Sequence, residues 1–105
     1  MAEFSVLLAV YAGDDPAFFA RAVESVTADQ TLRPSELVIV RDGPVGPGVA
    51  AVLERLRAGE LTAGVGVRIV ELAENVGLGR ALEAGLAACA HDLVAVCLLY
   101  TSRCV

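Results

Sequence analysis

Residues that could contact a ligand are concentrated in three short polar segments, each of which follows an apolar run. These segments are YAGDDP at 11–16, RDGPVGPG at 41–48 and ENVGLGR at 74–80. Tyr11 could border a nucleobase, and Asp42 could accept hydrogen bonds from a base N–H or a ribose hydroxyl. Equally, a tyrosine at a strand end is often edge packing, and Asp-Gly-Pro is an ordinary turn sequence.

The third segment invites comparison with the glycine fingerprint of dinucleotide-binding proteins. Gly77 and Gly79 open a helical pattern, but Leu82 stands where that fingerprint has its third glycine. A nicotinamide-dependent oxidoreductase is therefore a remote alternative, in which Asp42 would bind the ribose. Arg80, one turn into the helix, could reach a phosphate, although an exposed arginine is usually only solvated. Asn75 is expected to cap this helix.

The sequence supplies no recognisable set of catalytic or metal-binding residues. His91 is the single histidine and has no acidic or cysteine partner nearby in sequence, and the three cysteines lack metal-ligand spacing. A net charge of -5 without any lysine argues against binding to nucleic acid or to an anionic membrane. The apolar run Phe4–Val10 is too short to span a bilayer, so no membrane segment is predicted.

Apolar runs and helical patterns alternate along the chain. The continuously apolar run at 4–10 and the segment at 36–40 predict two buried strands, and the segments at 67–72 and 92–96 predict a third and a fourth strand. Helical spacing separates them, and Asp15 followed by Pro16 predicts the first helix start. In the third helix a buried stripe of Leu78, Leu82, Leu86 and Cys89 is expected, and Gly85 suggests close packing on the sheet.

This order predicts an α/β fold, a Rossmann-like parallel sheet built from βαβ units within one domain. Ligands of such sheets bind beyond the carboxyl ends of the strands. All three polar segments follow predicted strands, so they are expected to meet at that edge.

Taken together, three stretches of the sequence resemble the amino-terminal part of family 2 glycosyltransferases of the bacterial polysaccharide-biosynthesis branch. They are FSVLLAVYAGDDPAFFARAVESV, ADQTLRPSELVIVRDGPV and VRIVELAENVGLGRALEAGLAACAHDLVA. The resemblance implies the nucleotide-binding half of a GT-A fold. It also implies transfer of a sugar, with inversion, from a nucleotide-sugar donor to a glycan or lipid-linked acceptor. Such enzymes act at the cytoplasmic side, either soluble or membrane-associated.

The same resemblance assigns the nucleotide-binding positions. Tyr11 matches the aromatic residue that borders the base, Ala9 and Val10 lie on the backbone that lines it, and Asp42 matches the acidic residue that holds it. Gly77 lies in the turn into the third helix, and Arg80 matches a frequent basic position. The sequence departs from the family pattern at two places, where Ala12 replaces an asparagine and Arg41 replaces an acidic residue.

The main departure from the family lies after the fourth predicted strand. Family members carry there an Asp-x-Asp signature that binds a divalent cation, Mg or Mn, bridging the donor diphosphate. The corresponding positions hold Leu98, Tyr100 and Thr101, none of which ligates a metal as a carboxylate does. The resemblance therefore implies a metal in a full-length parent protein and no tightly held metal in this chain.

The last residues suggest a reason for that departure. Cys97–Ser102, CLLYTS, is the translation of TGT CTC TTA TAC ACA TCT, which resembles a transposon mosaic end used in sequencing libraries. We therefore expect residues 1–96 to be a partial, amino-terminal glycosyltransferase domain and 97–105 a non-native tail from adapter read-through. The alternative is a small self-contained doubly wound module that binds nucleotide or regulates without catalysis, with a genuine tail.

Overall fold

The computed structural model describes residues 3–27, 34–62, 64–98 and 103–104, with strands and helices in alternation. The elements in chain order are β1 (Ser5–Val10), α1 (Pro16–Thr27), β2 (Glu36–Asp42), α2 (Pro47–Arg57), β3 (Gly66–Leu72), α3 (Leu78–Ala88), β4 (Val94–Leu98) and β5 (Arg103–Cys104). The predicted α/β class is confirmed. The structure differs from the sequence pattern at β4, which begins and ends two residues later than the run at 92–96, and at β2, which includes Asp42.

The strands form one sheet in the order β3-β2-β1-β4-β5. Strands β1 to β4 are mutually parallel, and β5 pairs with β4 in the antiparallel direction. The chain runs outward from β1 to β3 and then crosses back to the other side of β1. This reversal places a topological switch point between β1 and β4, where ligands of open α/β sheets bind.

The central strands are buried on both faces, as the continuous apolar runs indicated. On one face Leu8, Ile39 and their neighbours pack under α1 and α2, with Phe19 and Leu53 in the same cluster. On the other face a smaller cluster lies under α3. Its fully buried members are Leu7, Val38, Val40 and Ala81.

The buried face of α3 differs in part from the predicted stripe, of which Leu82 and Cys89 are partly buried against the sheet. Ala81 and Gly85 are the buried residues of this helix, whereas Leu78 and Leu86 are each 48% exposed. A Cβ added at Gly85 would overlap Leu7 Cδ1 and would lie 2.7 Å from Val40 Cγ2. The helix therefore packs so close to the sheet that only small side chains fit between them, and the predicted role of Gly85 agrees with this geometry.

One carboxylate joins three elements at the amino ends of the strands. The Ser5 hydroxyl and the backbone N–H of Ala90 both donate to Oε2 of Glu36, each at 2.5 Å. Burial on its own raises the pKa of Glu36, but these two hydrogen bonds and nearby positive charges together outweigh it, so the pKa lies below the ordinary value. The side chains of His91 and Arg68 add to the lowering. Glu36 thus fixes the turn between α3 and β4.

His91 lies at this same end of the sheet. Its Nδ1 atom is 3.6 Å from an oxygen of Glu3, an acidic partner that its sequence neighbours did not reveal. This end is opposite to the carboxyl edge, so the structure gives His91 no place at the expected ligand site.

Two glycines of α3 provide a matched test of the close packing. Gly85→Ala is expected to lower the free energy of unfolding by about 1–3 kcal/mol, because its Cβ has no room. Gly79→Ala meets no atom within 4 Å and is expected to raise stability by up to about 1 kcal/mol through helix propensity. Urea denaturation measures both; equal effects would contradict the packing argument.

The Glu36 linkage predicts an acid-dependent loss of stability. Because the folded pKa is lowered, its contribution is present above the unfolded value of 4.5 and is lost as pH falls through the folded pKa. Glu36→Gln is expected to cost about 1–3 kcal/mol at pH 7, and the difference should shrink near pH 3. Urea titrations at both pH values measure this, with the exposed Glu24→Gln as control. If Glu36→Gln lowers the free energy of unfolding equally at both pH values, the lowered pKa of Glu36 does not contribute to stability.

Candidate functional site

The three polar segments of the sequence meet at the carboxyl edge of the sheet, as predicted. The strands β1, β2 and β3 are parallel neighbours, so the residues that follow Val10, Asp42 and Leu72 emerge on the same side. Packing also brings the starts of the first two helices together, since a Cβ on Gly48 would lie 2.6 Å from Pro16 Cγ. The candidate site is therefore formed by consecutive loops that rest on rigid elements.

Tyr11 projects from the end of β1 in a compact loop. Its backbone N–H donates to Oδ2 of Asp14 at 3.0 Å, and its carbonyl accepts from the backbone N–H of Asp14 at 3.1 Å. The ring lies over Gly13, where an added Cβ would be 2.6 Å from the phenol oxygen. The residue is still 48% exposed, so part of its surface is open to solvent.

The two residues before Tyr11 pack their side chains into the core. Val10 is only 1% exposed and directs its side chain into the core, and Ala9 packs against the cluster under α3. Their side chains are therefore committed to packing, and a contact with a ligand is left to main-chain atoms of the strand end.

Asp15 caps α1, as the sequence predicted. Its Oδ1 accepts hydrogen bonds from the backbone N–H groups of Ala17 at 2.8 Å and Phe18 at 3.2 Å. Both donors are among those that the first helical turn leaves without an intrahelical partner. The Asp15 carboxylate therefore has a structural role.

Asp42 ends β2 and is 4% exposed. Its Oδ1 accepts from the backbone N–H of Val76 at 2.8 Å, and its Oδ2 accepts from Nδ2 of Asn75 at 3.3 Å. The same Nδ2 lies 3.2 Å from the carbonyl oxygen of Asp42. The end of β2 is thus tied to the loop that connects β3 to α3.

Gly77 and Arg80 lie at the start of α3. Gly77 is the N-cap residue, with φ of +93°, and no side chain caps the helix. Asn75 does not cap it, because its amide is hydrogen bonded to Asp42 instead. Arg80 is exposed in the first turn, close to the carboxyl edge. Because this turn follows β3 and not β1, it does not match the position of the dinucleotide fingerprint.

Sequence reasoning missed the partners of Arg41. Its Nη1 pairs with Oε2 of Glu71 at 2.9 Å, and the two residues are register partners on adjacent strands. Glu71 also accepts from Arg57 of α2 at 2.6 Å. Opposite charges at these three positions were visible in the sequence, but only the strand register brings them together.

The described residues at this edge form no group that fits a divalent cation. Over 3–27, 34–62, 64–98 and 103–104, no group of three or more His, Cys, Asp or Glu side chains could hold a metal ion. Of the positions predicted to replace the Asp-x-Asp signature, Tyr100 and Thr101 lie outside the described residues, as does the side chain of Leu98. The origin of the segment 97–105 stays a prediction.

The sequence matches a family model and curated bacterial proteins. The model described as glycosyl transferase family 2 matches residues 5–97. The chain is 38% identical over 92 residues to an Escherichia coli UDP-Gal:alpha-D-GlcNAc-diphosphoundecaprenol beta-1,3-galactosyltransferase, and 42% identical over 92 residues to the amylovoran biosynthesis glycosyltransferase AmsE of Erwinia amylovora. Both matches cover 88% of this chain but only 31% and 32% of the relatives. The chain therefore spans about a third of their length.

Solved glycosyltransferase structures share the fold. The mannosyltransferase PcManGT from Pyrobaculum calidifontis, in complex with GDP-Man and Mn2+, superposes with a TM-score of 0.73 at 17% identity, over 90% of this chain and 26% of that chain. S. aureus TarS gives a TM-score of 0.59 at 17% identity, over 91% of this chain and 16% of that chain. At this level of identity the likeness shows the fold alone, which is the predicted GT-A type.

Within the described residues, no helix has the length and apolar character required to cross a bilayer.

Asp14, in the loop of Tyr11, is expected to change the stability of the fold with pH in the direction opposite to Glu36. Burial raises the pKa of Asp14 more than the Tyr11 N–H lowers it, so the ionised carboxylate is disfavoured in the fold. Its favourable contribution is present below the unfolded value of 3.8 and is lost as pH rises through the folded pKa. Asp14→Asn, which keeps an acceptor for Tyr11, is expected to gain stability relative to wild type at pH 7 and to lose that gain near pH 3. Urea titrations decide this, and a gain that persists at pH 3 would contradict it.

Proposed function

We propose, because the chain belongs to glycosyltransferase family 2, that its carboxyl edge binds the nucleotide of a sugar donor. In this proposal the chain is the amino-terminal part of an enzyme that transfers the sugar, with inversion, to a glycan or lipid-linked acceptor. The observation that carries the proposal is the convergence of the loops after β1, β2 and β3 at one edge of the sheet, where Tyr11 is 48% exposed. Such a convergence occurs where open α/β sheets bind their ligands.

Each residue of the proposed pocket has a distinct part. The exposed face of Tyr11 stacks on or borders the base, and the main chain of Ala9 and Val10 lines it. Gly77 and Arg80 face the phosphates, because the start of α3 presents unpaired N–H groups and a positive dipole end to this edge. Asp42 holds the base in this proposal, as the resemblance implies, and it also accepts hydrogen bonds from the loop between β3 and α3.

The relatives suggest which substrates the longer protein uses. The name of the E. coli relative specifies a UDP-galactose donor and a diphosphoundecaprenol-linked acceptor, and the AmsE relative is named for amylovoran biosynthesis. We accordingly propose a nucleotide-sugar donor and a polysaccharide or lipid-linked acceptor, with the reaction at the cytoplasmic face of the membrane. No nucleic acid partner is proposed, since the net charge is -5.

A divalent cation, Mg or Mn, belongs to the proposal only for the parent protein. PcManGT was solved with Mn2+, but the described residues of this chain form no metal site. No step of the reaction is therefore assigned to a metal on this chain. The catalytic base and the acceptor site are likewise assigned to the part of the relatives' length that this chain does not span.

Titration of the chain with UDP tests the proposed pocket. Tyr11→Ala is expected to weaken binding roughly ten-fold through the loss of stacking, whereas Tyr11→Phe should bind like wild type. Mn2+ is expected to leave the affinity unchanged. Calorimetry with and without Mn2+ measures these constants. Tight binding that requires the metal, or a Tyr11→Ala variant that binds like wild type, would contradict the proposal.

A further inference from the structure

We infer that Gly13 is a positioning residue for the ring of Tyr11. Because Gly13 has no side chain, the ring rests against the loop that follows β1 and is held at the edge of the proposed nucleotide pocket. The inference rests on the proposed function, since it concerns the aromatic ring that is proposed to border the base. Neither the pattern of the polar segments nor the family resemblance gave Gly13 a role.

The phenol end of Tyr11 occupies the space in which a side chain at position 13 would begin. A Cβ added at Gly13 would lie 2.6 Å from the phenol oxygen and 2.7 Å from both Cε2 and Cζ of the ring. These distances are far inside the separation of about 3.5–4.0 Å at which non-bonded carbon atoms pack. The ring can therefore lie where it does only while position 13 is a glycine.

The backbone at Gly13 does not itself require glycine. Gly13 is not among the glycines that have a positive φ, so its conformation lies outside the region that favours this residue type. At such a position alanine restricts the unfolded chain, which by itself stabilises a fold. The contact with the Tyr11 ring is thus the feature of this loop that a larger side chain would disturb.

The loop is held at both ends, so an inserted methyl group is expected to displace the ring and not the backbone. The N–H of Tyr11 donates to Oδ2 of Asp14 at 3.0 Å, and the N–H of Asp14 donates to the Tyr11 carbonyl at 3.1 Å. The next residue, Asp15, caps α1. Tyr11 is 48% exposed, and exposed side chains change rotamer readily. Gly13 therefore determines the position of the ring without being needed for folding.

Substitution of Gly13 by alanine separates the position of the ring from the stability of the fold. Gly13→Ala is expected to leave the urea midpoint unchanged or slightly raised. It is expected to weaken UDP binding by up to about ten-fold, because a displaced ring loses its contact with the base. Gly66→Ala is the matched control, since Gly66 also lacks a positive φ, has no atom within 4 Å of an added Cβ and begins β3 at the opposite end of the sheet. This control should keep the wild-type affinity.

A double-mutant cycle shows whether Gly13 acts through the ring. In the Tyr11→Ala background no ring is present, so addition of Gly13→Ala should cause no further loss of UDP affinity. Calorimetry on the whole chain supplies the dissociation constants. Nuclear magnetic resonance of the wild-type chain without nucleotide gives an independent readout. The Hα resonances of Gly13 should show nuclear Overhauser contacts with the Tyr11 ring protons and a ring-current shift that disappears in Tyr11→Ala.

Equal losses of UDP affinity from Gly13→Ala in the two backgrounds would overturn the inference, as would a Gly13→Ala variant that binds UDP as tightly as wild type or more tightly. A lowered urea midpoint in Gly13→Ala would also overturn it, because the ring would then be fixed by the fold. Absence of the Overhauser contacts would do the same. Absence of UDP binding by the wild-type chain would instead refute the proposed function, while the Overhauser contacts would still decide whether the ring rests on Gly13.

Discussion

The burial of β1 and β2 on both faces is the constraint on which the rest of this structure depends. With α1 and α2 on one side and α3 on the other, the central side chains of these strands, such as Leu7, Leu8 and Ile39, are fully buried. Polar groups that are not part of the sheet ladder are costly in such an interior. They therefore lie at the strand ends, where Tyr11, Glu36 and Asp42 are found, and the proposed nucleotide site lies at the carboxyl edge.

Sequence patterns predicted the structure correctly where a single local requirement, such as burial or helix capping, determines the residue type. The apolar runs predicted the four parallel strands, and Asp15 before Pro16 predicted a helix start that the hydrogen bonds to Ala17 and Phe18 confirm. The resemblance predicted the family and the fold type. The predicted stripe of α3 was wrong at Leu78 and Leu86, because a helical period marks a face of the helix but not its distance from the sheet. Gly85 sets that distance, and it buries Ala81 in place of Leu78 and Leu86.

The contacts of Asn75 and Arg41 could not be predicted from the sequence, for a different reason. Asn75 lies before a helix, where a side-chain cap is the ordinary expectation, yet its amide meets Asp42 more than thirty positions away in the chain. Arg41 and Glu71 become neighbours only through the register of β2 with β3. Long-range pairings of this kind depend on which strands are adjacent and how they are aligned. A single sequence does not contain that information locally.

The two carboxylates at the ends of β2 have a consequence for how this part of the chain can change length. Glu36 is the first residue of the strand and Asp42 the last, and they hydrogen bond to the backbone just after and just before α3. The length of the strand therefore sets the distance between the two anchor points of the helix. Seven strand residues span about 20 Å, and the eleven residues of α3 with the turns on either side must span the same distance. An insertion or deletion within α3 would release one of its two anchors, so tolerated length variation should be found in α1 or α2 and not in this helix.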